Sequence, residues 1–414
     1  MKNKVMVAVS VLLVALVLST LCLSCGGGKG EKETRTIVMG FLTDMTGPAS
    51  SMLVWGDKAY SDLADYVNKN DPIPGVKIKI VSYDTQYNPA RDILGYEFLK
   101  DNGAKMIFSG IPTVGDSLKE TAARDHIVIL SSAPSTYQLD PPGWVLCQTP
   151  PVGWVMKGFL KWISENDWDY QAKGRKPRIG SVGWEEPYHK DVTAAINDYV
   201  DENPDDFEYV AGPVVPMNTM SWYGEVETLK NCDYIYLPST GVGIPTFVTE
   251  YRGKGYQAKF LGLDAMSAFT KLIIDAVGWN YMDGSLTAHT TPYWTDQSPI
   301  VDKVKDLLDT YRPDEKDYII SVGLGYISIY FCAAVQFELL RAAVEEVGAE
   351  NFDPQAYYDA AANFNWTTEG LPTRGYGFTE TKRYARKDFK VYEWDAQSKQ
   401  LLAASDWVPD WEPS

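Results

Sequence analysis

Histidine is scarce in this 414-residue chain, at three residues, and cysteine nearly as scarce, at five. Cys22 and Cys25 stand near the N-terminus. Cys147, Cys232 and Cys332 are far apart, and no CxxC pair occurs beyond the first 25 residues. With His126, His189 and His289 equally scattered, a structural zinc site or a Cys/His metal cluster has no ligand set, so no metal and no cofactor is expected. The chain lacks a GxSxG elbow, an HExxH pair and a GxxxxGK[ST] phosphate loop, which leaves acid/base, metal and nucleophilic catalysis few candidates and no catalytic residue to name. Glu185-Glu186 is the one adjacent carboxylate pair considered, and neighbouring side chains that point apart read better as solvated acids. Basic charge is also short, 38 Lys and Arg against 55 Asp and Glu, for a net charge of −17. A nucleic-acid partner requires a basic face, and an anionic membrane surface repels such a body. Beyond residue 23 no run is both long and free of charge. Residues 319–347 are apolar but interrupted by Gln336, Glu338, Arg341, Glu345 and Glu346, and read as one long buried helix.

What is present begins with an export signal. Lys2 and Lys4 precede an apolar stretch from Val5 to Leu23, then Ser24, Cys25 and three glycines. The pattern resembles a bacterial lipoprotein signal in which Cys25 becomes the lipidated first residue; the competing reading is an uncleaved membrane anchor. Either places the body outside the cytoplasm. Removing residues 1–24 takes away two lysines and leaves 36 bases against 55 acids, a net −19. Residues 25–33 then read as a flexible tether, the stretch after Cys25 being GGGKGEKET.

The body alternates. Strand patterns at 36–42, 76–83, 105–109 and 127–131 are separated by helical patterns at about 56–68, 89–102 and 114–124. After Pro150-Pro151 the rhythm restarts. Helices are expected at 152–165, 188–201, 221–230, 243–254 and 266–277, with strands at 178–183, 208–214, 233–237 and 258–261. Strand–helix–strand units in series indicate parallel sheets with helices on both faces, so the fold class is α/β with two doubly wound lobes. Ligands in such sheets lie beyond the carboxyl ends of the strands, here in the cleft between the lobes.

The ordered pieces Thr43-Asp44-Met45-Thr46-Gly47-Pro48, Val54-Trp55-Gly56-Asp57, Tyr83-Asp84-Thr85, Asn88-Pro89-Ala90, Phe108-Ser109-Gly110, Leu130-Ser131-Ser132-Ala133-Pro134-Ser135 and Gly262-Leu263-Asp264 resemble the branched-chain amino-acid-binding family of ABC importers, the type I periplasmic binding proteins. The resemblance spans about residues 36–400. It implies a three-strand hinge with crossings near 148–152, 286–290 and 374–378. One lobe would then hold 34–148 and 289–375, the other 149–288 and 376–414. It further implies a lipid-anchored, extracytoplasmic solute-binding protein that closes on a small amino acid or related hydrophobic or aromatic carboxylate and delivers it to a membrane permease. A ligand-sensing receptor module of the same fold is the alternative.

The resemblance also implies site residues. Thr113 matches the helix start that holds the ligand carboxylate, although Thr113 with Asp116 also reads as a capping box. Ser135, with the main chain of Ala133, matches a second polar contact. Trp55 matches an aromatic wall beside the ligand, and Tyr188 a tyrosine closing from the opposite lobe. Asp264 matches an acid that pairs with the ligand's ammonium, with helix capping as its competing role. Where the family often has a tyrosine, this chain has Ser239 and Thr240, implying a roomier or more polar pocket.

Overall fold

A computed structural model of the chain describes residues 34–132, 134–238, 240–369, 376–409 and 411. The leader, the tether with Cys25, Ala133, Ser239 and residues 370–375 lie outside the described residues, so the expectations placed on them carry no structural statement.

The chain starts with β1 (Arg35–Thr43), which feeds helix α1 (Ser50–Asn70), and continues through β2 (Val76–Asp84), α2 (Pro89–Asp101), β3 (Ala104–Ser109), α3 (Pro112–Asp125), β4 (Val128–Ser131) and β5 (Val145–Cys147). The buried runs IVMGFL of β1 and MIFS of β3 are near-continuously apolar, as strands covered on both faces must be. Asn88 caps α2 by accepting from Ala90 N at 3.0 Å, with Pro89 in the first turn. The five strands form one sheet, ordered β2-β1-β3-β4-β5, with the β1–β3, β3–β4 and β4–β5 pairs parallel.

The chain then crosses to α4 (Val152–Asn166), β6 (Arg178–Ser181), α5 (Pro187–Glu202), β7 (Glu208–Tyr209), β8 (Tyr234–Tyr236), α6 (Gly243–Gly253), β9 (Lys259–Leu263), α7 (Asp264–Ser267), α8 (Thr270–Val277) and β10 (Leu286–His289). It returns through α9 (Pro299–Tyr311), α10 (Lys316–Val322) and α11 (Gly325–Val347), which packs along α1. It crosses once more to β11 (Asp388–Asp395), β12 (Gln400–Ala403) and β13 (Val408–Pro409). The second sheet runs β12-β11-β10-β9-β8-β6-β7, with β13 paired to β11. Its central pairs are parallel, while β11 joins β10 antiparallel. Two parallel-sheet lobes linked by three chain crossings are thus the architecture, and the crossing after β5 runs through Gln148 and Thr149.

Three expectations needed revision. The single helix over 319–347 is two helices, because Gly323 sits at φ 115° between α10 and α11, a conformation only glycine adopts readily. The helix over 266–277 is likewise split into α7 and α8. Helix α1 begins six residues earlier than expected, so Trp55 lies within it and not at its mouth. Gly56 serves the packing of α1 on α11, since a Cβ there would stand 2.6 Å from Ile329 Cγ1.

Candidate functional site

A cavity enclosing about 80 Å³ lies between the carboxyl ends of the two sheets. One water needs roughly 10–15 Å³ on the same measure, so the space suits a small organic molecule or several waters. The first lobe contributes Ala49 and Met52 from the start of α1, Gly110 and Pro112 before α3, and Ser132 after β4. Ser328 and Cys332 of α11 close the back, and Gln148, Thr149 and Val152 come from the crossing. The second lobe contributes Tyr188, Thr240, Leu263 and Asp264, and Thr290 and Thr291 come from the crossing after β10. These residues sit where strands hand over to helices, because strand ends are where a doubly wound sheet leaves backbone and short side chains uncovered.

Among the described residues, Asp264 is the only charged one in the cavity's lining. It does not cap a helix with its side chain: it is the first residue of α7, which has Leu263 as its cap and no side-chain capping bond. Its Oδ2 accepts from Thr290 N at 2.9 Å and from Thr290 Oγ1 at 3.0 Å. Its Oδ1 is buried and has no hydrogen-bond partner. Burial outweighs the Thr290 bonds, the attraction of the Arg386 guanidinium and the Thr291 backbone amide, and pushes the carboxyl up to about 6. The amide oxygen of Gln148 faces the same deficit: Gln148 is 1% exposed, and its Oε1 also lacks a partner. A buried acceptor left unpaired costs free energy, so both oxygens are poised for a donor.

Tyr188 lines the cavity at 2% exposure, and burial holds its hydroxyl well above the ordinary tyrosine range. Its neighbours are not the solvated group expected from sequence. Glu186 is 2% exposed and His189 fully buried, and only Glu185 is solvent-facing. The Glu186 carboxylate accepts from Tyr87 Oη at 2.7 Å and from Thr240 Oγ1 at 3.5 Å. Tyr87 follows β2 in the first lobe, so this bond joins the two lobes at the cavity's rim. Gln86 and Tyr87 both adopt left-handed backbone, φ 56° and 54°, a strained pairing that places the tyrosine across the gap. Beside it Gly241, φ 55°, approaches the Pro48 carbonyl so closely that a Cβ would stand 2.6 Å from it.

The structure brings Tyr188, Thr240 and Asp264 to this cavity, and does not bring Trp55, Thr113 or Ser135 to its lining. Thr113 lies inside the first turn of α3, whose cap is Ile111, and its Oγ1 donates to Asp92 Oδ2 at 3.3 Å. Neither a capping box nor a hydroxyl aimed at the cavity results. Ser135 Oγ donates to Asp116 Oδ1 at 2.9 Å. Trp55 packs at 5.4 Å from the Tyr318 ring, with Lys58 Nζ 4.6 Å above its own. Its large apolar surface joins α1 to α10, so Trp55→Ala is expected to cost roughly 1–3 kcal/mol of stability and to leave ligand affinity within threefold; a melting curve and a binding isotherm on the same variant check both. Tyr87, Gln148, Thr290, Thr291 and Ser328 were missed. Tyr87 comes three residues after β2 and the Thr290-Thr291 pair directly after β10, and the strand-end rule alone singles them out. Gln148 and Ser328 carry no local signal.

The sequence profile of the family described as periplasmic binding protein matches residues 36–400. The chain belongs to the periplasmic binding protein family. No curated protein matches the sequence. Among solved structures, a branched-chain amino-acid ABC transporter protein from Thermus thermophilus with bound valine superposes with a TM-score of 0.78 at 16% identity, covering 91% of this chain and 97% of that one. A fatty-acid ABC transporter substrate-binding protein from Thermomonospora curvata gives 0.76 at 17%, covering 92% and 95%. A solute-binding protein from R. palustris in complex with 4-hydroxybenzoate gives 0.72 at 17%, covering 91% and 98%. At these identities the likeness establishes the fold of this periplasmic binding protein, and the ligand has to be argued from its own cavity.

Proposed function

We propose that this protein is the extracytoplasmic solute-binding component of an ABC importer and that it carries a small amino-bearing ligand, an amino acid or close relative. The observation that carries the reading is the Oδ1 of Asp264, which has no hydrogen-bond partner among the described residues and belongs to the one charged side chain they place on the cavity wall. An ammonium group offers three donors and a positive charge to that oxygen, and would draw the carboxyl back to its ionised form. Gln148 Oε1 offers a second acceptor. Ala49, Met52, Val152 and Leu263 supply the apolar side for a hydrocarbon body.

The two lobes act as jaws in this reading. Chain crossings near 148–152, 286–290 and 374–378 would let them swing, with 34–148 and 289–375 on one side and 149–288 and 376–414 on the other. Ligand bound between them shifts the population toward the closed form, to the extent that it binds that form better. The Tyr87–Glu186 bond belongs to the closed form. A permease in the membrane receives the ligand, no bond of the ligand is made or broken, and Cys25 anchors the protein through lipid. Thr113, Ser135, Ala133 and Ser239 remain candidate contacts in a wider opening of the jaws.

The ligands named for the solved relatives frame the test, since valine carries an ammonium and 4-hydroxybenzoate does not. A thermal-shift screen should pair amino acids with their deaminated analogues and with aromatic acids. A ligand that binds only the folded state stabilises it by about 4 kcal/mol at a thousand times its Kd. Amino-bearing compounds are expected to raise the melting temperature and their deaminated partners to fail. Stabilisation by aromatic acids alone would overturn the amino-acid reading while leaving the importer reading standing.

A further inference from the structure

A second cavity, of about 610 Å³, shares no lining residue with the first. Its walls come from α8, from the segment after β10, from α9 and α10, and from the β11–β12 hairpin. The apolar part is Trp279, Tyr293, Trp294, Ile274, Ile320 and Leu401. Two of these rings are firmly set: Tyr293 and Trp294 are each 5% exposed, and Trp294 Nε1 donates to the Gly323 carbonyl at 2.7 Å. Lys271, Lys305 and Lys399 also line this cavity, against a single acid, Asp275. Lys271 is paired with Asp275 at 3.0 Å. The side chains of Lys305 and Lys399 make no ion pair or hydrogen bond with any described residue.

In a chain of net charge −17, two unpaired ammonium groups beside one aromatic recess form a local reversal of sign. An inorganic anion would use the lysines and leave the rings idle. A neutral ring would use the tryptophans and leave the charges unmatched. A molecule with a flat apolar body and one acidic group uses both, through ring contact and through charge-assisted hydrogen bonds. We propose that this recess is a second binding site, separate from the one around Asp264, and that it takes a small aromatic anion, with the ring against Trp279 and Trp294 and the acidic group facing Lys305 and Lys399.

The probe is 1-anilinonaphthalene-8-sulfonate, titrated into the full chain by fluorescence and calorimetry, with uncharged N-phenyl-1-naphthylamine as its counterpart. The expected result is one anion bound per chain, with the uncharged compound at least tenfold weaker. K305Q/K399Q should weaken the anion at least tenfold, whereas D264N and K161Q, a surface lysine outside this lining, leave it within twofold. Absence of stoichiometric binding, a change below threefold in K305Q/K399Q, or clearly tighter binding in D264N would each overturn the proposal; the last would place the probe in the first cavity, where removal of the Asp264 charge favours an anion.

Discussion

Asp264→Asn lowers the affinity for an amino-bearing ligand by about 3 kcal/mol, roughly 100-fold, because it removes the one carboxylate among the described residues of the cavity wall. The amide keeps the size of the side chain, and its oxygen still accepts from Thr290 N and Oγ1, so the local backbone stays in place. Charge is therefore the variable under test. The ligand-free variant should melt no lower than the parent at neutral pH, since burial of the carboxylate is unfavourable without its partner. The sign follows from the raised folded value. With about 6 in the fold and 3.8 as the ordinary value, Asp264 favours the ligand-free fold fully below about pH 4, and this contribution is lost as the pH rises through 6. A tenfold loss of affinity or less in Asp264→Asn, or a marked drop in its melting temperature, would return the residue to a purely structural role.

The second large effect concerns the frame behind the cavity. Asp62 on α1 is 4% exposed and takes Arg312 Nε at 2.9 Å, Arg312 Nη2 at 2.7 Å and Tyr326 Oη at 3.1 Å. The three partners come from α1, from the end of α9 and from α11, and they fix the α1–α11 pair that presents Met52, Ser328 and Cys332 to the cavity. Arg312→Ala leaves a buried carboxylate with one donor. Loss of one partner of a buried pair costs 3–5 kcal/mol, and the partial exposure of Arg312 puts this case near the lower end, about 3 kcal/mol. Chemical denaturation should show that loss, and Asp62→Asn in the same background should recover part of it. A loss under 1 kcal/mol would mean that water replaces the guanidinium without penalty.

The fold was readable because its signal is periodic and repeated. Buried parallel strands such as β1 and β3 are short apolar runs, and Asn88-Pro89 or Pro187 announce the helices that follow them. The split of α10 from α11 was not readable, since a glycine inside an apolar stretch declares a break only when its φ is known. The site was readable in outline. Asp264, Tyr188 and Thr240 follow strands and face the gap. Thr113 and Ser135 also occupy loop or helix-start positions and Trp55 reads as one from sequence, but other partners claim them: Asp92, Asp116 and Tyr318. Glu186 shows the opposite case, an acid that sequence assigns to solvent and that the fold buries under Tyr87 from the other lobe. Which polar side chains are left without a partner is a property of the assembled fold, and among the described residues that line the cavity it picks out Asp264 and Gln148.

Calorimetric titration of an amino-bearing ligand between pH 8 and pH 4.5 addresses the pairing of Asp264 with an ammonium group more directly than any variant. With the free carboxyl at about 6, Kd should stay level above about pH 7 and rise close to tenfold for each unit below 6, with a proton released on binding in that range. A Kd that is flat from pH 8 to 5, or one that improves as the solution becomes acidic, would show that the cavity does not hold a cation against an ionised Asp264.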